Sequence, residues 1–366
     1  MPLSAALERY YDRYDGIRPE ENELYSQFRY TELKGFDYNG YDGTRNRRDP
    51  SKVIFANGKY YVWYTHTHTE RPTNGVPNAD IWYATSEDGF TWDEQGPAVE
   101  RPARPAVGWS SVLTPDILVW NGKYYLYYQC FGDEAGNTKK NPVRVSFADS
   151  PDGPWTMYDE VVIPRGKEGE WDNQCIHDPF PFVRGGKIWI YYKSDLAGSS
   201  HIDFIRMQGV AIADNPFGPF EKHALNPLIN SGHETTLFPF TEGVAAILVK
   251  DGIERSTIQY AKDGVNFEIA STVQLVPHAG APFVPDAFTD TDYGRGISWG
   301  ICFGYARENK KSPILMRFDC DLSLDVHDPE MKQRPGTHTA DFYYRHGLDE
   351  QQRMRIAQQN KEWKGN

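Results

Sequence analysis

A chain of 366 residues with a net charge of −12 has no electrostatic footprint for nucleic acid or an anionic membrane. A mean hydropathy of −0.66, with no long apolar run, excludes a helical membrane span. Aromatic residues make up 14% of this polar chain, which favours a β-rich fold that binds something flat, such as a sugar face.

In chain order, Leu3 to Asp15 has helical spacing, with Leu3, Leu7, Tyr10, Tyr11 and Tyr14 on one apolar-aromatic face. The opening MPLSAALERYYDRYDG lacks the basic-then-apolar pattern of a secretory signal, so the expected location is the cytoplasm, or the periplasm after trimming. QFRYTELKG (Gln27 to Gly35) reads as a strand that closes a ring against the last repeat.

Three similar hairpins follow: KVIFANGKYYVWYT from Lys52, ILVWNGKYYLYYQ from Ile117 and PFVRGGKIWIYYKS from Pro181. Each is an apolar run, an Asn-Gly or Gly-Gly turn, then an aromatic run. Their turn glycines Gly58, Gly122 and Gly186 recur every 64 residues. ATSEDGFTW from Ala84, ADSPDGPW from Ala148, ADNPFGPF from Ala213 and AKDGVNF from Ala261 keep the same phase as strand, polar turn and aromatic. LFPFTEGVAAILVK begins a fourth repeat, and a fifth lies near DAFTDTDYGRGISWGICFG. Gly347 to Trp363 reads as a charge-laced helix. The expected fold is all-β, a five-bladed β-propeller over 23–340, with an N-terminal helical extension over 1–22 and a C-terminal helix over 341–366. A β-sandwich with coincidental hairpins is the alternative, and the regular spacing weighs against it. Cys130, Cys175, Cys302 and Cys320 lack metal-type spacing and are expected to be buried free thiols.

Five acids share a phase: Asp49 in RRDP, Asp116 in TPDI, Asp178 in HDPF, Glu234 in GHET and Asp286 in VPDAF. Each is expected immediately before the first strand of a blade, which brings their side chains together around the channel. Carboxylates so gathered raise one another's pKa, as glycoside hydrolysis requires of an acid and base pair. Asp before Pro also caps turns, and Asp286 is left to that reading. His177 and His233 adjoin two of the acids, which are expected to favour the imidazolium and make a proton donor. They could instead bind a metal, though no ligand spacing supports that. The histidines of THTHT (Thr65 to Thr69) are a weaker metal candidate and are expected at a loop entrance. Trp82, Thr114 and Gln129 are further candidates for the pocket wall, against ordinary strand packing.

At these residues the sequence resembles glycoside hydrolase family 117, the α-1,3-(3,6-anhydro-L-galactosidase) or neoagaro-oligosaccharide hydrolase family. Ser4, Ala6, Arg9 and Asp12 fit the S-x-A-x-x-R-x-x-D helix that such proteins exchange between two subunits. RRDPSKVI, NGKYYVWYT, IWYATSEDGFTW, HDPF and GHE resemble its blade motifs, and GLDEQQRMRIAQQNKEW its C-terminal helix. The resemblance implies a homodimer that exchanges N-terminal helices and an exo-acting, inverting hydrolase of agar oligosaccharides. It makes Asp49 the general base, Asp178 and Glu234 the other two acids, and His233 the general acid. Trp82, Thr114, Gln129 and His177 match sugar-contacting positions. The chemistry needs no cofactor, although the family's site can hold a divalent cation near the propeller axis. Asp116 departs from the pattern, which has Glu or Asn there, and the stretch from Thr65 to Asp80 is unlike the usual loop. Substrate identity is therefore the open point, with another algal galactose or anhydrogalactose linkage as one option. A related five-bladed arabinosidase or xylosidase is another reading, and a catalytically inactive sugar-binding propeller is a third. Retention of Asp49, Asp178 and Glu234 together weighs against the third.

Overall fold

The structure, a computed structural model, describes residues 2–12, 24–36, 43–73, 75–132, 142–195, 206–252, 254–285, 293–305 and 313–333. Their regular structure is almost all strand, with very little helix. After β1 (Arg29–Glu32) comes a first group: β2 (Arg45–Arg48), β3 (Ile54–Ala56), β4 (Lys59–His68), β5 (Asp80–Ser86) and β6 (Trp92–Val99). A second holds β7 (Ser111–Trp120), β8 (Lys123–Phe131), β9 (Val143–Ala148) and β10 (Thr156–Met157). The third is β11 (His177–Arg184), β12 (Lys187–Asp195), β13 (Arg206–Ala213) and β14 (Glu221–Lys222). The fourth is β15 (Thr236–Thr241), β16 (Gly243–Leu248), β17 (Thr257–Ala261) and β18 (Glu268–Thr272). Then come β19 (Ala281–Pro282), β20 (Gly294–Tyr305) and β21 (Pro313–Ser323).

The turn chemistry sets the local structure. Asn57–Gly58, Asn121–Gly122 and Gly185–Gly186 all have positive φ, between 51° and 78°. That geometry matches the strand twist in a two-residue hairpin, and these residues adopt it at least cost. The aromatic run after each turn is buried along most of its length, because neighbouring groups cover both of its faces. Five apolar cores result. They join the first group to the second, the second to the third, the third to the fourth, and the fourth to the last. The fifth core packs Val53, Val62 and Tyr64 of the first group on Trp299, Ile301 and Phe303 of the last. β1 pairs antiparallel with β21, so the strand expected at Gln27–Gly35 joins the last group.

Among the described residues one expectation about the fold needs correcting. The strands form four sheets instead of five, because β15 pairs with β20 through Phe240↔Arg295 and Thr241↔Gly294 and fuses two groups into eight strands. Gly294 permits that approach: a Cβ there would lie 2.3 Å from the Pro239 carbonyl carbon. Of the expected N-terminal extension over 1–22, residues 13–22 lie outside the described residues; the described helix is α1 (Ala5–Asp12), which docks on its own chain. Ser4 caps it, accepting from Leu7 N at 3.3 Å and donating to Pro227 O at 2.7 Å, while Asn230 Nδ2 donates to Ala6 O. The helix expected at 341–366, and Asp286, lie outside the described residues. Among the described residues no helix is long and apolar enough to cross a membrane. All four cysteines are free and buried, as expected.

Candidate active site

One backbone position repeats in every strand group. Asp49, Thr114, Asp178, Glu234 and Ala279 all have left-handed φ, between 47° and 64°, and all line one cavity of about 50 Å³. Each follows a residue that pairs with the second strand of its group. Arg48 pairs with Thr65, Leu113 with Gln129, His177 with Lys193 and His233 with Lys250, and Phe303 N donates to His278 O. A bulge follows at once. It breaks the register between Leu113 and Asp116 and between His177 and Phe180, and it divides β2 from β3. Asp49, Asp178 and Glu234 therefore stand at a kink, where a left-handed residue turns its side chain into the cavity. Glu234 lies just before β15 and Asp49 between β2 and β3, ahead of the strand as the sequence suggested, whereas Asp178 and Asp116 lie inside β11 and β7. A non-glycine residue at such φ costs about 1–3 kcal/mol and marks positions held for function.

This alignment regroups the expected acids. Asp49, Asp178 and Glu234 share the kink, and in the second group Thr114 takes that place. Asp116 is two residues further on and lines the cavity with its carboxylate already occupied. Lys52 N donates to Oδ1 at 2.7 Å, Ile117 N to the same oxygen at 2.9 Å, and Lys52 Nζ to Oδ2. Lys52 also donates to Pro181 O and lies over the Phe180 ring, so the pair ties together three strand groups. In the last group the kink is Ala279, not Asp286.

Each of the three acids has a basic partner. Asp49 accepts from Arg48 Nε at 2.8 Å. Burial raises its pKa above the ordinary carboxylate value, and the charges of Glu234 and Asp178 add to that rise against the pull of Arg48. Asp178 accepts from Lys193 Nζ. Burial opposes the charge on Lys193, but Asp178 and Glu234 raise its pKa overall, so it stays cationic. Glu234 is buried too, which raises its pKa. The hydrogen bond from His233, with His278 and the charge of Lys193 close by, outweighs that and holds its carboxyl well below the usual range. His233 Nε2 is 2.9 Å from Oε1; His278 Nε2 lies 3.4 Å from the same oxygen and accepts from Lys250 Nζ at 2.8 Å.

His177 departs from expectation. It donates from Nδ1 to Gln129 Oε1 at 2.9 Å, and burial, then Lys193, push its pKa down to about 3. It is neutral, because burial outweighs the adjacent Asp178. His66 of the THTHT run lies within β4 instead of a loop; it stacks on Trp82 with ring centroids 4.0 Å apart. Burial lowers its pKa to about 4. Trp82 is thereby backed by an uncharged ring. Thr114 N donates to Thr65 Oγ1 at 2.8 Å, which fixes the kink of the second group from the first.

Residues 44–209 match the family model described as glycosyl hydrolases family 43. Among solved structures, Zg3597, a family 117 glycoside hydrolase produced by the marine bacterium Zobellia galactanivorans, is 54% identical with a TM-score of 0.79. The match covers 90% of this chain and 100% of that one. The chain belongs to glycoside hydrolase family 117. Sucrose-6-phosphate hydrolase from Lactobacillus gasseri shares the fold at 14% identity and a TM-score of 0.56, over 86% of this chain and 66% of that one. Fructan 1-exohydrolase IIa from Cichorium intybus does so at 14% and 0.53, over 81% and 57%. No curated protein sequence matches significantly.

This family 117 enzyme is a glycoside hydrolase, and part of its site escaped the sequence reading. Lys193, Arg206, Lys250 and His278 were all missed. Lys193 stands 64 residues after Gln129, which is itself 64 after Thr65, and His278 precedes its kink as His177 and His233 do. Both periods were readable. Arg206 carried no such signal, because it enters from the third strand of its group. Among the described residues Asp49, Asp178 and Glu234 supply no three ligand atoms within 4.8 Å of one another.

Proposed function

We propose that the enzyme is an exo-acting, inverting hydrolase that removes terminal α-1,3-linked 3,6-anhydro-L-galactose from neoagaro-oligosaccharides during agar degradation. The observation that carries this reading is the contrast between two buried carboxyls in one cavity. Asp49 is tuned upward toward a base, while Glu234 is held ionised between two imidazoles. Asp49 takes a proton from the water that attacks the anomeric carbon. His233, as the imidazolium, passes the Nε2 proton that Glu234 orients to the departing oxygen and is left neutral. Asp178, paired with Lys193, keeps negative charge beside Asp49 and so sustains its basicity. Trp82, Thr114, Gln129 and His177 hold the sugar. The kinks of all five strand groups converge on this one cavity, which supports action at a chain end.

Five kinks and five cores support a five-bladed propeller in which the eight-stranded sheet counts as two blades. The homodimer belongs to the same proposal. Ser4 and Ala6 would make on a partner the contacts that α1 makes here, since domain swapping preserves each contact while changing its owner. Digestion of a neoagaro-oligosaccharide longer than the disaccharide tests the reading. Monosaccharide as the sole early product, first seen by NMR as the inverted anomer, supports it; internal cleavage or the retained anomer rejects it.

A further inference from the structure

Beside His177, which the proposed function assigns to the sugar, lie Cys175 and Asp195, two groups that the proposed hydrolysis does not use. Cys175 Sγ is 2.6 Å from His177 Nε2 and 3.2 Å from Asp195 Oδ2. These three atoms lie within 4.8 Å of one another, and no other such set of ligand atoms exists among the described residues. The proton count does not close. His177 Nδ1 donates to Gln129 Oε1, so the neutral ring presents a lone pair at Nε2. The carboxylate of Asp195 only accepts. A single S–H then faces two acceptors and satisfies one of them. Asp195 Oδ1 is a buried oxygen with no hydrogen bond, although Arg206 Nε lies 3.4 Å away.

We infer that Cys175, His177 and Asp195 form a binding site for one divalent cation of the zinc class. Thiolate, imidazole and carboxylate are together the ligand set of a borderline metal, and three protein ligands leave one tetrahedral position for water. The outer contacts are those of a metal site. Gln129 fixes the His177 tautomer, Ser194 Oγ donates to Cys175 O at 2.6 Å, and Arg206 faces Asp195. Metal–sulfur and metal–nitrogen bonds of ~2.3 and ~2.0 Å would open the Cys175–His177 contact to roughly 3.5 Å. The ion joins the start of β11 to the end of β12. It sets the angle of His177 beside Asp178, so its role in the site is positioning.

The test uses the full-length protein, stripped with chelator, and Zn²⁺ or Co²⁺ alone as probe. Without substrate, its outcome is independent of which sugar the enzyme cleaves. The expected result is one equivalent bound and, with Co²⁺, a thiolate-to-metal charge-transfer band that Cys175→Ser abolishes. Asp195→Asn should weaken binding but keep the band, and Gln129→Ala should cost about 10–100-fold in affinity. Far-UV circular dichroism of each variant establishes that it is folded. No binding by the wild type, or a band that survives Cys175→Ser, overturns the assignment.

Discussion

Arg206 Nη1 lies 2.8 Å from His233 Nδ1, and a guanidinium can only donate. At rest His233 Nδ1 is therefore the acceptor and the ring proton sits on Nε2 against Glu234, whereas the sequence suggested an imidazolium. Giving up that one proton would leave an imidazolate, so the ring serves as the acid only after taking a second proton on Nδ1, where Asp251 Oδ2 lies 3.6 Å away. On this account His233→Ala loses about 10²–10⁴-fold in kcat on the natural substrate. An aryl glycoside whose leaving group needs no protonation should restore most of that loss, and should not restore Glu234→Gln. Rescue of the Glu234 variant alone would make Glu234 the acid.

Replacing the base should separate activity from folding. Asp49→Asn keeps the size of the side chain, and asparagine tolerates the φ of 49° found there. It also removes a carboxyl whose burial opposes its charge. The expected loss is about 10²–10⁴-fold in kcat/KM with a melting temperature at or above that of the wild type. Steady-state kinetics beside a thermal melt reads both, and near-normal turnover would move the base elsewhere.

The pH profile follows from the direction of the same shift. A base works only when ionised, so kcat/KM should climb as pH rises through the elevated pKa of Asp49. The acid limb then lies above the ordinary carboxylate value of about 4. Asp178→Asn removes one of the negative charges that raise Asp49 and leaves Lys193 nearby unneutralised. Both changes favour ionised Asp49, so the limb should move to lower pH. A limb that stays put, or moves up, would detach Asp178 from this role.

The Lys52–Asp116 pair makes a stability prediction. Both side chains are about 4% exposed, so removing one partner strands a buried charge. Lys52→Met should cost about 3–5 kcal/mol by denaturant titration, and the double variant with Asp116→Leu should recover much of it. A loss in the double variant equal to the sum of the losses of Lys52→Met and Asp116→Leu would show that the pair is not coupled.

The N-terminal segment makes a prediction about assembly. Deleting residues 1–16 removes Ser4 and Ala6 and exposes the surface around Pro227 and Asn230 that they cover. Light scattering should then report a monomer or an aggregate. An unchanged dimer would rule out helix exchange as its cause.

The hairpins at 64-residue spacing were legible because a positive-φ turn admits few residue types, so Asn-Gly and Gly-Gly stand out wherever the fold needs one. The later repeats were fainter, since the two-residue loop Thr241–Glu242 uses ordinary residues and only Thr241 has positive φ. Asp49, Asp178 and Glu234 were found by their place before an apolar run. Asp116 came with them because a bulge is invisible in sequence: two residues of slip put it beside the kink that Thr114 occupies. His278 was hidden by the alanine that follows it. The fusion of two strand groups rests on a close approach at Gly294, which no local pattern announces.

The most direct test of the account is the incubation of wild type and Asp49→Asn with neoagarobiose, and separately with nitrophenyl pentosides, while released monosaccharide is measured. The account predicts 3,6-anhydro-L-galactose from neoagarobiose with the wild type, about 10²–10⁴-fold less with the variant, and no nitrophenol from the pentosides. Nitrophenol release with neoagarobiose left intact, or equal release by both proteins, would contradict it.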